Sequence, residues 1–153
     1  MARRKVSIQT VNDPVLNINK TFLRLDNPRK KVVYFIRSDK SIKYTFRRSS
    51  RILYIGKTDK RGHKRPLESI RDRAVSFLGL NGVKYLDVVY IKASGKRNVD
   101  IADRLEKACL HQFREYYGEV PKGNRKSRNK IELTVEGYYF NLRRLTGIIK
   151  EFS

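Results

Sequence analysis

One acidic residue, Glu106, lies where a helix should be apolar. The pattern predicts a helix that begins after Asn98 or Asp100 and ends near Tyr117. At about 100° per residue, six side chains form one apolar arc: Ala102, Leu105, Cys109, Phe113, Tyr116 and Tyr117. Glu106 falls inside that arc, where a carboxylate needs a cation, a metal ion or a hydrogen-bond donor to stay ionised. Two interpretations stay open: pairing with a core Arg or Lys, or an active-site carboxylate that holds a divalent cation.

A second predicted helix carries arginines close to its apolar side. Pro66 opens this predicted helix, which runs to about Leu78. Arg71 points along its apolar side, and Arg73 flanks that side. At least one guanidinium group therefore lies near the predicted sheet and needs an anionic partner, either Glu106 or a phosphate.

The net charge of the chain narrows the class of partner. The 153 residues include 36 Lys and Arg against 15 Asp and Glu, a formal charge of +21. Positions 1–65 hold 19 basic and 4 acidic residues, whereas positions 66–121 hold 9 and 8, so the middle of the chain is nearly neutral. A solvated surface is the alternative interpretation, but self-repulsion this strong favours a polyanion partner, with nucleic acid as the first candidate.

From other features of the sequence we expect neither a membrane protein, nor a secreted protein, nor one stabilised by a disulfide or zinc. No apolar run is long enough to span a bilayer, so no membrane partner is expected. The basic N-terminus lacks the apolar core of a secretory signal. The single cysteine, Cys109, forms neither an internal disulfide nor a zinc site, which fits the cytoplasm.

The strands and helices that carry these residues follow one another along the chain in the order β-β-α-β-α. This order predicts an α+β domain with a three-stranded antiparallel sheet. Three segments rich in apolar, β-branched and aromatic residues predict the strands: 31–36, 51–55 and 83–91. A polar, basic connection at 37–50 makes the first two strands a hairpin with a long tip. Three regions follow: a basic arm at 1–30, which has room for a short strand or helix, a core at 31–125, and an extension at 126–153. The extension predicts a short strand at 131–135 and then helical spacing from Leu142 to Phe152.

Five sequence elements resemble the GIY-YIG nuclease family. They are Tyr34 in Val32-Val33-Tyr34, Tyr54-Ile55-Gly56, the helix segment 70–78 with Arg73, Glu106 after Leu105, and Pro121-Lys-Gly-Asn124. The resemblance covers roughly 31–125. It implies that Arg73 is the catalytic arginine, with Arg71 as the alternative, that Glu106 binds the metal, and that Asn124 closes the domain.

Two departures from the family pattern are informative. Tyr34 and Tyr54 are twenty residues apart, farther than in compact members, and this enlarged hairpin resembles the restriction-endonuclease branch. Phe77 stands where some members carry a histidine, and His63 is a possible substitute in the preceding loop. A self-contained domain would bind DNA through ten basic residues in its insertions and flanks: Lys40, Lys43, Arg47, Arg48, Arg71, Lys122, Arg125, Lys126, Arg128 and Lys130.

The implied reaction is phosphodiester hydrolysis with a single Mg²⁺ (or Mn²⁺) ion on Glu106. A tyrosine would act as the general base; Tyr34 is favoured, with Tyr54 positioning the water or phosphate. Lys57 would supply the nearby cation that tyrosine ionisation needs, and Arg73 would bind the non-bridging oxygens. We therefore expect a site-specific type II restriction endonuclease that acts as a homodimer on double-stranded DNA. The alternatives are a low-specificity phage or mobile-element nuclease and a non-catalytic basic nucleic-acid-binding protein.

Overall fold

Four antiparallel strands form one sheet in the part of the chain that the structure describes. A computed structural model describes residues 6–17, 32–58, 72–78, 82–93, 101–127 and 140–153. The strands are β1 (Val6–Asn17), β2 (Val33–Lys43), β3 (Ser49–Lys57) and β4 (Tyr85–Ala93). Their order in the sheet is β1-β4-β2-β3, so β2 and β4 are central and β3 is an edge strand.

The α+β class and its antiparallel sheet are confirmed. The three predicted strands correspond to β2, β3 and β4, and β1 adds a fourth strand along β4. Register shifts interrupt the pairing of β1 on both sides of Asp13 and Pro14. Proline lacks a backbone N–H and is tolerated on an edge strand. The irregular apolar pattern of this arm therefore hid a long strand.

The hairpin between β2 and β3 differs from its prediction. Residues 37–43 were expected in a loop, but β2 continues through them, so the tip shrinks to 44–48, where Arg47 has a φ of 59°. The strand continues because two polar residues after Ile36 are buried, at 4% exposure for Arg37 and 1% for Ser38. The hairpin is therefore enlarged mainly because its strands are longer than predicted.

Two α-helices pack against each other and against the sheet: α1 (Ile101–Tyr117) and α2 (Leu142–Phe152). The helical spacing predicted for α2 is confirmed by its buried residues Leu145, Ile149 and Phe152. Residues 72–75 are also helical and continue as a turn to 78. A 3₁₀ helix, Lys122–Ser127, occupies part of the predicted basic loop. The start of the arginine-bearing helix and the strand predicted at 131–135 lie outside the described residues.

Aromatic contacts attach α1 to the hairpin. The Tyr44 ring lies 5.0 Å from that of Phe113, and Phe113 lies 4.4 Å from Tyr117. The Tyr44 hydroxyl donates a hydrogen bond to the Ile52 carbonyl at 2.7 Å. Within the described ranges, no helix has both the length and the apolar character needed to cross a membrane.

A buried ion pair connects β2, β4 and the end of α2. Arg37 donates two hydrogen bonds to the Asp87 carboxylate, both at 2.8 Å, and a longer one of 3.4 Å to the Phe152 carbonyl. The pairing is bidentate and largely excluded from water, so each charge depends on the other.

We predict that Arg37→Met destabilises the protein by about 3 kcal/mol, because it leaves the Asp87 carboxylate without its buried partner. Urea denaturation measures the change. Arg51→Met is the matched control, since Arg51 is 3.7 Å from the same carboxylate but 35% exposed and should cost about 1 kcal/mol or less. Equal losses in both variants would contradict the assigned role of the buried pair.

Candidate active site

Two tyrosines from adjacent strands face each other at one end of the sheet. Tyr34 lies on β2 and Tyr54 on β3, and their ring centroids are 5.9 Å apart. A negative charge on Tyr54 would raise the pKa of Tyr34, so the two side chains influence each other. Tyr34 is buried at 3% exposure, whereas Tyr54 is only partly buried. The sequence-predicted pair is thus two interacting tyrosines, of which Tyr54 is the more accessible.

The close approach of both rings depends on Gly56. Tyr34 pairs with Gly56 across the β2–β3 ladder. A Cβ atom at Gly56 would lie 2.5 Å from the Tyr34 hydroxyl oxygen and 2.6 Å from the Tyr54 ring. Because such distances are too short for real contacts, only glycine admits this arrangement. The glycine of Tyr54-Ile55-Gly56 therefore provides the space in which the tyrosines meet.

Asn124 holds the strand beside that glycine. The Ile55 N–H donates to Asn124 Oδ1, and Asn124 Nδ2 donates to the Ile55 carbonyl, both at 2.9 Å. Asn124 is buried at 5% exposure. Its side chain satisfies two main-chain groups of an edge strand and so replaces a neighbouring strand. Asn124 therefore acts on the backbone next to the tyrosines.

Arg73 is presented to Tyr54 by an anchored turn. Its guanidinium carbon lies 5.0 Å from the Tyr54 ring centroid, within cation–π range, and its side chain is exposed. Ala74 and Phe77, on either side of the turn, are buried. A Cβ at Gly123 would lie 2.5 Å from the Phe77 ring, so this phenylalanine packs closely on the 3₁₀ helix. Phe77 thus has a packing role.

Glu106 comes from α1 to the same end of the sheet. It is partly buried, and this burial raises the pKa of its carboxyl group to about 7, against a lowering effect of Lys57. Its charge acts on Tyr34 and Tyr54, raising the pKa of each. Among the described residues, none forms a hydrogen bond or ion pair with this carboxylate. The predicted anomaly is therefore confirmed as a partly buried carboxylate, and a core Arg or Lys partner is not found in the described part of the chain.

Two lysines near Glu106 bind a different carboxylate. Lys57 Nζ lies 2.5 Å from Asp103 Oδ1, and Lys107 Nζ lies 3.0 Å from Asp103 Oδ2. Burial alone would raise the pKa of Asp103, but the hydrogen bonds from both lysines outweigh it and lower that pKa. Asp103 is one helical turn before Glu106 on α1. It ties the end of β3 to the helix that carries Glu106.

The cation beside the tyrosines is Arg73, whereas the sequence analysis assigned that role to Lys57. Burial raises the pKa of Tyr54, and the charge of Arg73 is the largest effect opposing this rise. Burial also raises the pKa of Tyr34, well above its ordinary value and more strongly. Lys57 instead acts on Glu106. Arg73 and Lys57 thus act on different titratable groups.

The donor set limits the kind of metal site. No group of three or more His, Cys, Asp or Glu side chains occurs within the described ranges. Among the described residues, Glu106 is the carboxylate whose charge acts on both tyrosines, and it forms no ion pair there. One hard oxygen ligand fits a Mg²⁺ ion that keeps several waters and binds through its substrate, and it does not fit a cage made only of protein ligands.

The proposed DNA-binding residues are not all at this end. Lys40, Lys43, Arg47 and Arg48 lie toward the opposite end of the β2–β3 hairpin. Lys43 is about 23 Å from Tyr34, because their partners Ser49 and Gly56 are seven residues apart on β3. Arg48 donates to the Tyr116 carbonyl at 2.8 Å and covers its ring at 3.9 Å. Lys122 pairs with Glu119 at 2.8 Å.

Of the other predicted DNA-binding residues, two lie in the 3₁₀ helix and the rest lie outside the described residues. Arg125 and Lys126 belong to the 3₁₀ helix, which follows the β3 edge from the Tyr44 end toward Ile55. Arg71, Arg128, Lys130 and the candidate His63 are outside the described residues.

Two residues near the site escaped the sequence analysis. Asp103 fell on the polar face of the predicted helix, and nothing in the local sequence indicates its partner Lys57. Tyr90 on β4 pairs with Tyr34 across the sheet and is buried at 3% exposure. The register of β2 against β4 was the only signal for its place, and the register is not visible in one sequence.

Comparison with known proteins finds no matching family model, curated protein or solved structure. The site is therefore interpreted from its own geometry and chemistry.

We predict that Glu106→Gln stabilises the protein above neutral pH. The folded-state pKa is raised from 4.5 to about 7, so the folded protein binds the proton more tightly and the parent loses stability as pH rises through this window. The variant should be about 1–3 kcal/mol more stable than the parent at pH 8 and close to it at pH 5. Urea denaturation across this range measures the difference. Glu115→Gln, on the exposed part of α1, is the control and should show no such trend; a gap independent of pH would contradict the prediction.

Proposed function

We propose that the protein is a Mg²⁺-dependent DNA endonuclease of the GIY-YIG type that hydrolyses phosphodiester bonds. One observation carries the proposal: the tyrosine pair meets at Gly56, Arg73 lies over Tyr54, and Glu106 is close enough for its charge to act on both tyrosines. Packing alone gives no reason to bring a partly buried carboxylate and an arginine to two strand tyrosines. The chemistry of phosphodiester hydrolysis requires such a set.

Arg73 is the proposed ligand of the scissile phosphate. Its guanidinium group is exposed on one side and lies over Tyr54 on the other. A planar fork of donors in this place is suited to the non-bridging oxygens, on which negative charge accumulates during the reaction. Lys57 adds a second positive charge at the edge of the site.

The tyrosine pair is the proposed general base. Tyr54 lies next to Arg73, whose charge is the largest effect that lowers the pKa of Tyr54, so a negative charge on Tyr54 is better stabilised than one on Tyr34. Tyr54 is also the more exposed member. We therefore assign the proton-accepting oxygen to Tyr54 and the stabilising donor to Tyr34, the reverse of the assignment that the sequence favoured.

Glu106 would hold a single Mg²⁺ (or Mn²⁺) ion. Its carboxylate is the hard oxygen ligand that such ions prefer, and it has no partner within the described residues. A bound ion supplies charge neutralisation at the phosphate. The raised pKa of about 7 means that the carboxylate is ionised, and so able to bind, mainly at and above neutral pH.

Binding of double-stranded DNA is the proposed role of the basic flanks and hairpin. Lys40, Lys43 and Arg47 are exposed, and Lys43 lies about 23 Å from Tyr34, a span of roughly seven base pairs along a duplex. Contacts to phosphates so far from the cut would position the duplex. We further propose site-specific cleavage by a homodimer in the cytoplasm, as expected of the restriction branch. A low-specificity nuclease of phage or mobile-element origin has the same requirements at the site and differs in its digestion pattern.

A non-catalytic nucleic-acid-binding protein is the second candidate. The charge of +21 favours it as much as it favours a nuclease. This candidate predicts binding that weakens steeply with salt and no cleavage with any divalent ion. It gives no role to the open carboxylate of Glu106.

We predict that the protein cuts plasmid DNA in the presence of Mg²⁺ and that Glu106→Gln lowers the rate at least 100-fold, a loss of about 2.7 kcal/mol of transition-state stabilisation. Gel analysis of the digestion products and mapping of their ends measure the activity. Circular dichroism checks that the variant is folded, and Glu115→Gln is the control with the same change of charge on the same helix.

Three outcomes separate the candidates. Discrete bands that depend on Glu106 support a site-specific nuclease, and a smear that depends on Glu106 supports a low-specificity one. DNA binding without cleavage, or cleavage by Glu106→Gln at the parent rate, would mean that the proposed function is wrong.

The two tyrosines should differ in their effect on the rate. We predict that Tyr54→Phe lowers the cleavage rate by about 10²–10⁴, because the proton acceptor is lost. Tyr34→Phe should lower it only about tenfold, since it removes a hydrogen bond to the developing charge. Tyr85→Phe, at an exposed tyrosine of β4, is the control. A larger loss in Tyr34→Phe than in Tyr54→Phe would restore Tyr34 as the base.

A further inference from the structure

The two carboxylates of α1 that face the site are used differently. Asp103 accepts one ammonium group on each oxygen, Lys57 at 2.5 Å and Lys107 at 3.0 Å. Glu106, one turn later, forms no ion pair with any described residue. Two acids and two lysines share a small region, yet both lysines are bound to one acid.

Lys57 is the natural competitor for Glu106. It follows Gly56 at the end of β3, and its charge is the strongest nearby influence in favour of the ionised form of Glu106. Its side chain is 42% exposed, so without a partner its ammonium group would sample several positions. Lys107 is adjacent to Glu106 in sequence, and adjacent residues of a helix point in different directions. Release of Lys57 would therefore place a cation on Glu106, whereas release of Lys107 would not.

We propose that Asp103 is a positioning residue that binds Lys57 and thereby keeps the Glu106 carboxylate open for a divalent cation. Lys107, on the second oxygen of Asp103, helps to keep that aspartate ionised. The ammonium group of Lys57 is thus held near the site without occupying the metal ligand. This inference rests on the metal-binding role of Glu106 in the proposed function.

Mn²⁺ binding to the intact chain, followed by calorimetry without DNA, tests the inference without relying on activity. Asp103→Asn should weaken Mn²⁺ binding about twofold to fivefold, because Lys57 then competes for Glu106 with the free energy of an exposed ion pair. Asp103→Glu, which keeps a carboxylate within reach of Lys57, should bind Mn²⁺ nearly as the parent does. A role of Asp103 in helix stability alone would lower the melting temperature of Asp103→Asn and leave Mn²⁺ binding unchanged, which would overturn the inference.

Two double variants separate competition by Lys57 from a general loss of negative charge. Asp103→Asn/Lys57→Gln and Asp103→Asn/Lys107→Gln both restore the parent's net charge. Competition predicts that only the first recovers Mn²⁺ binding, because only it removes the competitor. Equal recovery in both would show that Asp103 acts through its charge alone and would overturn the inference.

A crystal structure of Asp103→Asn provides a readout independent of metal. We expect Lys57 Nζ within 4 Å of a Glu106 carboxylate oxygen, and a Lys57 side chain directed away from Glu106 would overturn the inference. If the parent binds no Mn²⁺, the proposed metal site is wrong, while this structure still decides whether Asp103 keeps Lys57 from Glu106.

Discussion

The two hydrogen bonds between the Asn124 side chain and the Ile55 main chain are the constraint on which the site depends. β3 is an edge strand, so the outward N–H and C=O groups of Ile55 have no strand partner. Each such group would cost about 1–3 kcal/mol if buried and unsatisfied. The amide of Asn124 satisfies both and fixes the 3₁₀ helix along the edge of β3. Gly56 follows directly, and both tyrosines lie against it. The position of the tyrosine pair therefore depends on hydrogen bonds that satisfy the backbone of one residue, Ile55.

The titratable groups at the site are influenced by different cations. A partly buried carboxylate with a raised pKa is costly to ionise, and the buried Tyr34 and partly buried Tyr54 are costlier still. Arg73 lies beside Tyr54, and the charge of Lys57 favours the ionised form of Glu106. A second carboxylate, Asp103, forms the ion pairs with Lys57 and Lys107. On the proposal made above, these ion pairs keep Lys57 from pairing with Glu106.

Features determined by local spacing were predictable from the sequence, and features determined by distant contacts were not. The position of Glu106 inside the apolar arc follows from helical periodicity, and Gly56 ends a β-branched and aromatic strand. By contrast, β2 continues through Arg37 only because Asp87, fifty residues away, neutralises it. The partner of Asp103 is 46 residues away. No window of sequence contains such pairs, so the strand appeared to end early and Asp103 to be an ordinary surface acid.

Not all of the positive charge counted in the net charge of the chain is free to bind a polyanion, because some basic side chains are held by other contacts. Arg48 is held over Tyr116 and bound to its carbonyl, and Lys122 pairs with Glu119 and lies 5.0 Å from the Tyr44 ring. These cations attach the hairpin tip to the end of α1, so their contribution to a polyanion surface is limited by contacts they would have to give up. The exposed Lys40, Lys43 and Arg47 carry no such attachment through the contacts described above, and they lie far from Tyr34. On the proposed function, affinity and hydrolysis therefore depend on different ends of the same hairpin. The buried pair of Arg37 and Asp87 fixes β2 of this hairpin to β4, which would relate the position of the bound duplex to the position of the cut.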